Sequence, residues 1–175
     1  MKAIQEMLNK EHSRRQTGRV VKAIGTNPER FKELLACYYS TDPVIAQRAA
    51  WALGHCVPQY PGLIKNHLKK LLLFIQKPGL HSAMKRNVVR MLEYIEIPEN
   101  LEGLAADVCF QFIKDPKETI AVKAFSLGVL LRLSLKYPDL QPELIGELDR
   151  LSNGSSAGLK NRIGKVRARL EKQGR

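Results

Sequence analysis

The sequence predicts an all-α protein, an α-α superhelix in which antiparallel helix pairs stack as a solenoid. Three observations carry that expectation. Helix starts marked by a capping residue and a proline recur along the chain. Between them apolar residues return at the helical period of about 3.6. A pattern spanning two helices then repeats after 38 and again after 37 residues, measured from Arg48 to Arg86 to Lys123. Composition agrees: aromatics are only 6% of the chain, and Leu, Ala, Lys and Arg dominate, which favours helices over sheets.

Taken in order, the first two helices are expected near 2–11, which is amphipathic, and 13–25, which is strongly basic. Asn27-Pro28 starts a helix near 28–39, and Asp42-Pro43 starts one near 43–56, with Gly54 and Pro58 marking its end and the turn. Helices near 61–76 and 81–96 follow, the second on the stripe Met84, Val88, Leu92 and Ile95. Leu101, Leu104, Ala105, Val108 and Phe112 make the stripe of a helix near 98–114. Asp115-Pro116, with Glu118 at capping-box spacing, opens a helix near 116–137. That helix is apolar on two sides, through Ile120, Ala124, Leu127 and Leu131 and through Val122, Phe125, Val129 and Leu133, so it belongs in the middle of a packed unit. Helices near 140–152 and 156–173 complete the chain, the last on Leu159, Ile163, Val166 and Leu170, after the flexible turn SNGSSAG at 152–158.

Two further phrases repeat: QYPGLIKNHLKKL at 59–71 and KYPDLQPELIGEL at 136–148 each place Tyr-Pro before a new amphipathic helix. Short connections keep consecutive helices antiparallel neighbours. The expected organisation is one domain over 1–175, with N-terminal helices in 2–25 and pairs near 27–58, 59–96, 98–137 and 139–173. With these residues in view the chain resembles HEAT and armadillo-type repeat proteins, and DPVIAQRAAWALG, with Asp42 six residues before Arg48, is similar to the second helix of a HEAT repeat. The resemblance implies that Asp42 and Arg48 belong to a ladder of hydrogen bonds between repeats. Leu80 and Lys117 stand at the matching positions before Arg86 and Lys123.

Little in the chain points to catalysis. Cys37, Cys56 and Cys109 are far apart and lie in apolar segments, which reads as buried thiols in a reducing compartment. His55 and Cys56 are adjacent, and neighbours on a helix do not share a face. His12, His67 and His81 lack zinc-site companions, and no phosphate-cradling glycine motif is present. Neither a cofactor nor a metal is expected. No signal peptide or membrane span is expected either, since the longest apolar run is LLLF at 71–74, and a cytoplasmic location is the default. Trp51 reads as a filler between repeats, with stacking on a base or an aromatic ligand as its rival role.

Charge is the functional signal. The chain carries +12 with a pI of about 9.8, and residues 151–175 hold 7 basic side chains against 1 acidic, so half of the excess sits in the last 25 residues, most of it on the last helix. There Lys160, Arg162, Lys165, Arg167, Arg169 and Lys172 occupy the circumference left by the apolar stripe. Further clusters are Lys65, Lys69 and Lys70; Lys85, Arg86 and Arg90; and Arg14, Arg15, Arg19 and Lys22, none with aromatics interleaved. The resulting expectation is a non-catalytic scaffold that recognises a protein or another acidic macromolecule on a helical surface. Nucleic-acid binding is the alternative. Alkylpurine-type DNA glycosylases are similar in being built from HEAT-like repeats, which would make base release the enzymatic variant, but the central helices offer only Trp51 and Asp107 toward it.

Overall fold

The computed structural model describes residues 2–173. They form ten α-helices and two short 3-10 turns, with no strand among the described residues. One compact unit, residues 1–96, holds α1 (Lys2–Lys10), α2 (Arg14–Ile24), α3 (Pro28–Tyr38), α4 (Pro43–Gln59), α5 (Leu68–Phe74) and α6 (Ser82–Leu92). A second unit, residues 97–175, holds α7 (Glu99–Lys114), α8 (Ile120–Lys136), α9 (Gln141–Ser152) and α10 (Ala157–Gln173). No described helix is long and apolar enough to cross a membrane.

Local chemistry sets several of the ends. Asn27 Oδ1 accepts hydrogen bonds from the Glu29 and Arg30 amides, and Asp42 Oδ1 accepts from Val44 and Ile45, so both Pro-marked starts fall where expected. Asp115-Pro116 behaves differently. Asp115 Oδ1 accepts from the Lys117 amide at 2.8 Å and its carbonyl from Glu118, which closes a turn, and α8 begins only at Ile120. Both Tyr-Pro phrases fold alike, as a 3-10 turn at Pro61–Leu63 and at Pro138–Leu140. After the first of them the chain keeps to three-residue hydrogen bonds as far as His67, so α5 is shorter than the helix expected over 61–76.

In the first unit α4 packs against α2, α3 and α6. Its alanines at 46, 49, 50 and 52 are buried and let the neighbours come close. The helix also runs on through Gly54 and Pro58, where an end was expected. Pro58 falls in the last turn, and the Tyr60 amide still reaches the Cys56 carbonyl at 2.9 Å. Gly54 is an approach point: a Cβ there would lie 3.1 Å from Asn87 Oδ1 and 3.4 Å from the Asn87 carbonyl oxygen on α6.

In the second unit α8 packs against α7, α9 and α10. Val122, Val129 and Leu133 are buried, whereas on the other expected stripe only Leu127 is, and Ile120 at the helix start is half exposed. Leu159, Ile163, Val166 and Leu170 turn α10 inward as anticipated.

Arginines close helix ends in both units. Arg48 donates to the Leu8 and Asn9 carbonyls at the end of α1, at 2.8 and 3.1 Å, instead of reaching Asp42. Arg30 does the same for Ala23 of α2, and Arg150 for Ile113 of α7. A cation on a carbonyl end satisfies orphan acceptors and the helix dipole together. Arg48→Ala should therefore cost about 2 kcal/mol, the range for a hydrogen bond to a charged group. Amide exchange along α1 should accelerate while α10 stays protected, and Arg48→Lys should recover part of the loss.

Candidate functional site

Charge in the folded chain sorts by unit and by helix. Residues 1–96 contain 16 Lys and Arg against 7 Asp and Glu, and residues 97–175 contain 13 against 10, so the first unit carries most of the excess. Within it, α2, α4 and α6 contribute eight basic residues and no carboxylate. These are also the helices that lie side by side, α2 on α4 and α4 on α6. The basic excess is thus concentrated on one layer.

Each helix of that layer leaves one stripe unburied. On α4 it is Gln47, Arg48, Trp51, His55 and Gln59, at helical spacing. On α6 it is Arg86 and Arg90, continued by Tyr94 four residues on; on α2 it is Arg14, Gly18 and Lys22, with Arg15 and Arg19 beside them. Ring contacts and a shared cleft tie the α4 stripe to its surroundings. His12 meets Trp51 edge to face with ring centroids 4.8 Å apart, and Trp51 meets His55 at 5.9 Å. Gly54, His55, Pro58, Gln59, Arg90 and Tyr94 line a cleft of about 210 Å³. Burial, reinforced by the positive charges of Arg90 and Arg14, holds the His55 pKa below its ordinary value.

Arg14, Arg19, Lys22, Arg86 and Arg90 make no ion pair among the described residues, and Arg15 meets Glu11 only at 3.8 Å. Tyr94 is 64% exposed. The face is an aromatic and imidazole centre flanked by unpaired guanidinium groups.

A family model for HEAT repeat domains matches residues 4–170. The chain belongs to the HEAT repeat family. No curated protein and no solved structure matches it. HEAT repeats usually mediate protein interactions and are generally non-catalytic. In chain order the basic layer is every second helix of the first unit. The second unit follows the same rule: α8 and α10 carry nine basic residues and one acidic, α7 and α9 two and six.

The other basic candidates fall in different settings. Lys65 and Lys69 are exposed beside α5, and Lys70 lies 4.7 Å over the Tyr39 ring of α3. Lys85 is half buried on α6. On α10, Lys160, Lys165, Arg169 and Lys172 are exposed, but Arg162 donates to the Ala124 carbonyl at 3.0 Å and Arg167 pairs with Asp149 at 2.5 Å. Two of the six cations of that HEAT helix are therefore engaged within the unit. Its exposed residues have no ring contact among the described residues, whereas Arg90 shares the cleft with Tyr94 and His55. Tyr94 follows Arg90 at helical spacing, a signal present in the sequence but hidden by its place at the helix end; His12 comes from a connection and carries no such signal.

The thiols are poorly suited to chemistry. Cys37, Cys56 and Cys109 are free and buried, and burial pushes Cys56 and Cys109 up to about 12. Among the described residues no group of three or more His, Cys, Asp or Glu is placed to hold a metal ion.

A second cleft, of about 310 Å³, lies in unit 97–175 among Glu99, Glu102, Asp107, Leu133, Tyr137 and Leu140. Glu102 is its buried member, accepting from Lys136 Nζ at 2.8 Å and from the Tyr137 hydroxyl at 2.5 Å. Burial raises the Glu102 pKa, but the two hydrogen bonds and the charges of Lys136 and Arg132 outweigh it and leave the carboxyl below its ordinary 4.5. A depressed carboxylate adds stability that is complete above 4.5 and lost as pH falls through the folded value. Urea midpoints of the second unit should accordingly drop on acidification below that point, and Glu102→Gln should flatten the drop.

Proposed function

We propose that this HEAT repeat protein is a non-catalytic binding module that holds an acidic macromolecular partner on the outward face of α2, α4 and α6. The observation that carries the reading is that these three adjacent helices hold eight basic residues and no carboxylate, and that five of the eight, Arg14, Arg19, Lys22, Arg86 and Arg90, make no ion pair among the described residues. Such a field draws polyanions in and gains from the counterions they release. That Arg14, Arg86 and Arg90 make no ion pair among the described residues supports it, since such a cation breaks no internal pair in turning to an external one. Buried thiols with raised pKa support a non-catalytic role and a reducing, cytoplasmic setting.

The test is binding of the full chain to poly-L-glutamate and to labelled oligonucleotides at about 50 and 200 mM salt, where charge contacts separate from others. Binding that weakens steeply with salt is expected. A chain that binds no polyanion at the lower salt would not have this function.

A further inference from the structure

We infer that the α2–α4–α6 face binds single-stranded nucleic acid, with a base in the cleft between Tyr94 and His55 and the backbone phosphates on Arg14, Arg86 and Arg90. This rests on the polyanion reading above and names its ligand. Charge alone would suit any polyanion; the rings decide among them.

Tyr94 is the observation that goes beyond charge. Its ring is 64% exposed, and among the described residues it meets no other ring and its hydroxyl has no hydrogen bond. A large aromatic left open beside an unpaired arginine is the composition of a binding hot spot. The cleft it borders, about 210 Å³, is lined by Tyr94, His55 and Arg90, three side chains that end in planar groups able to stack on a flat ligand. Trp51 continues the row 5.9 Å from His55. Bases stack on such groups whatever their sequence, while arginines follow the phosphates.

Competing polyanions use less of this surface. A duplex hides its base faces in its own stack and would meet only the arginines. An acidic peptide would satisfy the same arginines through carboxylates and leave the open ring without a planar partner. Burial and the neighbouring arginines also keep His55 toward its neutral form, which suits stacking better than a fixed charge would.

The experiment uses the full chain and its only tryptophan, Trp51, as an internal reporter. Unlabelled single-stranded DNA and RNA of about 16 nucleotides, the matching duplexes and poly-L-glutamate are each titrated at about 50 mM salt while Trp51 emission is followed, with labelled oligonucleotides for anisotropy. Single strands should bind at least about ten-fold tighter than duplex, and a base seated against His55, whose ring lies 5.9 Å from Trp51, should change Trp51 emission. Tyr94→Ala should weaken single-strand binding by about ten-fold, Tyr94→Phe should not, and neither should alter polyglutamate binding. Because Tyr94 is exposed, circular dichroism of both variants should match the parent chain.

Equal affinity for single strand and duplex, with Tyr94→Ala silent, overturns the inference and leaves a plain polyanion surface. Preference for polyglutamate also overturns it and points to an acidic protein partner. Failure to bind any polyanion removes both this inference and the reading beneath it.

Discussion

Replacing Gly54 with valine should destabilise the 1–96 unit by about 3 kcal/mol, at the upper end of the usual cost of overpacking. The new Cβ would sit 3.1 Å from Asn87 Oδ1, 3.3 Å from Asn87 Cβ and 3.4 Å from the Asn87 carbonyl oxygen. None of these yields easily. Asn87 is 2% exposed, and its side-chain Nδ2 donates to the Ala83 carbonyl at 2.8 Å, so swinging it aside breaks a partly buried hydrogen bond. Its carbonyl oxygen belongs to the α6 backbone, so the remaining relief is to push α6 from α4. Gly54→Ala is more finely balanced, because alanine recovers about 1 kcal/mol of helix propensity against the same close approach. That gain should emerge more fully in an Asn87→Ala background, as a coupling between the two sites. Trp51 lies on the same helix three residues earlier, and the 97–175 unit has no tryptophan, so urea unfolding followed by its emission reads this unit alone. An unchanged midpoint for Gly54→Val would mean that α4 and α6 do not approach at this point.

Reversing Arg14, Arg86 and Arg90 together to Glu should lower polyanion affinity on the order of a hundred-fold at about 50 mM salt. The dependence of log affinity on log salt should also become shallower by about one for each phosphate that the variant no longer holds. The fold should tolerate the change. None of the three arginines has an ion pair to lose among the described residues, and the unit holds 16 basic residues against 7 acidic, so reversal relieves repulsion. Removing the positive Arg90 and Arg14 side chains should also raise the His55 pKa, measurable by NMR titration as a check that the three groups are neighbours. The matched control reverses Lys160, Lys165 and Arg169 on α10, which are exposed but stand beside no ring; it should cost less than about ten-fold. If the α10 variant lost binding and the first variant kept it, the assignment of the face would be wrong.

The helical architecture was legible because its signals are local. Asn27-Pro28 and Asp42-Pro43 cap helices through bonds two and three residues away, and the inward stripe of α10 needs only helical periodicity and an apolar neighbour. Where two local outcomes share one signature, sequence alone misleads. Asp115-Pro116 has the same letters as Asp42-Pro43 but closes a turn, and Gly54 has the look of a helix end but marks a close approach.

The site was legible only in part, since a formal charge says nothing about what it faces. Arg48 and Arg162 reach backbone carbonyls of residues 40 and 38 positions away in sequence, and Arg167 meets Asp149 on another helix, whereas Arg14, Arg86 and Arg90 have no ion pair among the described residues. The basic clusters look free of aromatics along the chain because Trp51 and His55 lie on a different helix. Sequence by itself determined the all-α helical-repeat class, the basic character and the inward stripes, because each depends on residues within a few turns of one another. Tertiary structure decided which cations are consumed in holding helices together and which stand free beside Tyr94, because that depends on helix pairs whose meeting no local spacing encodes.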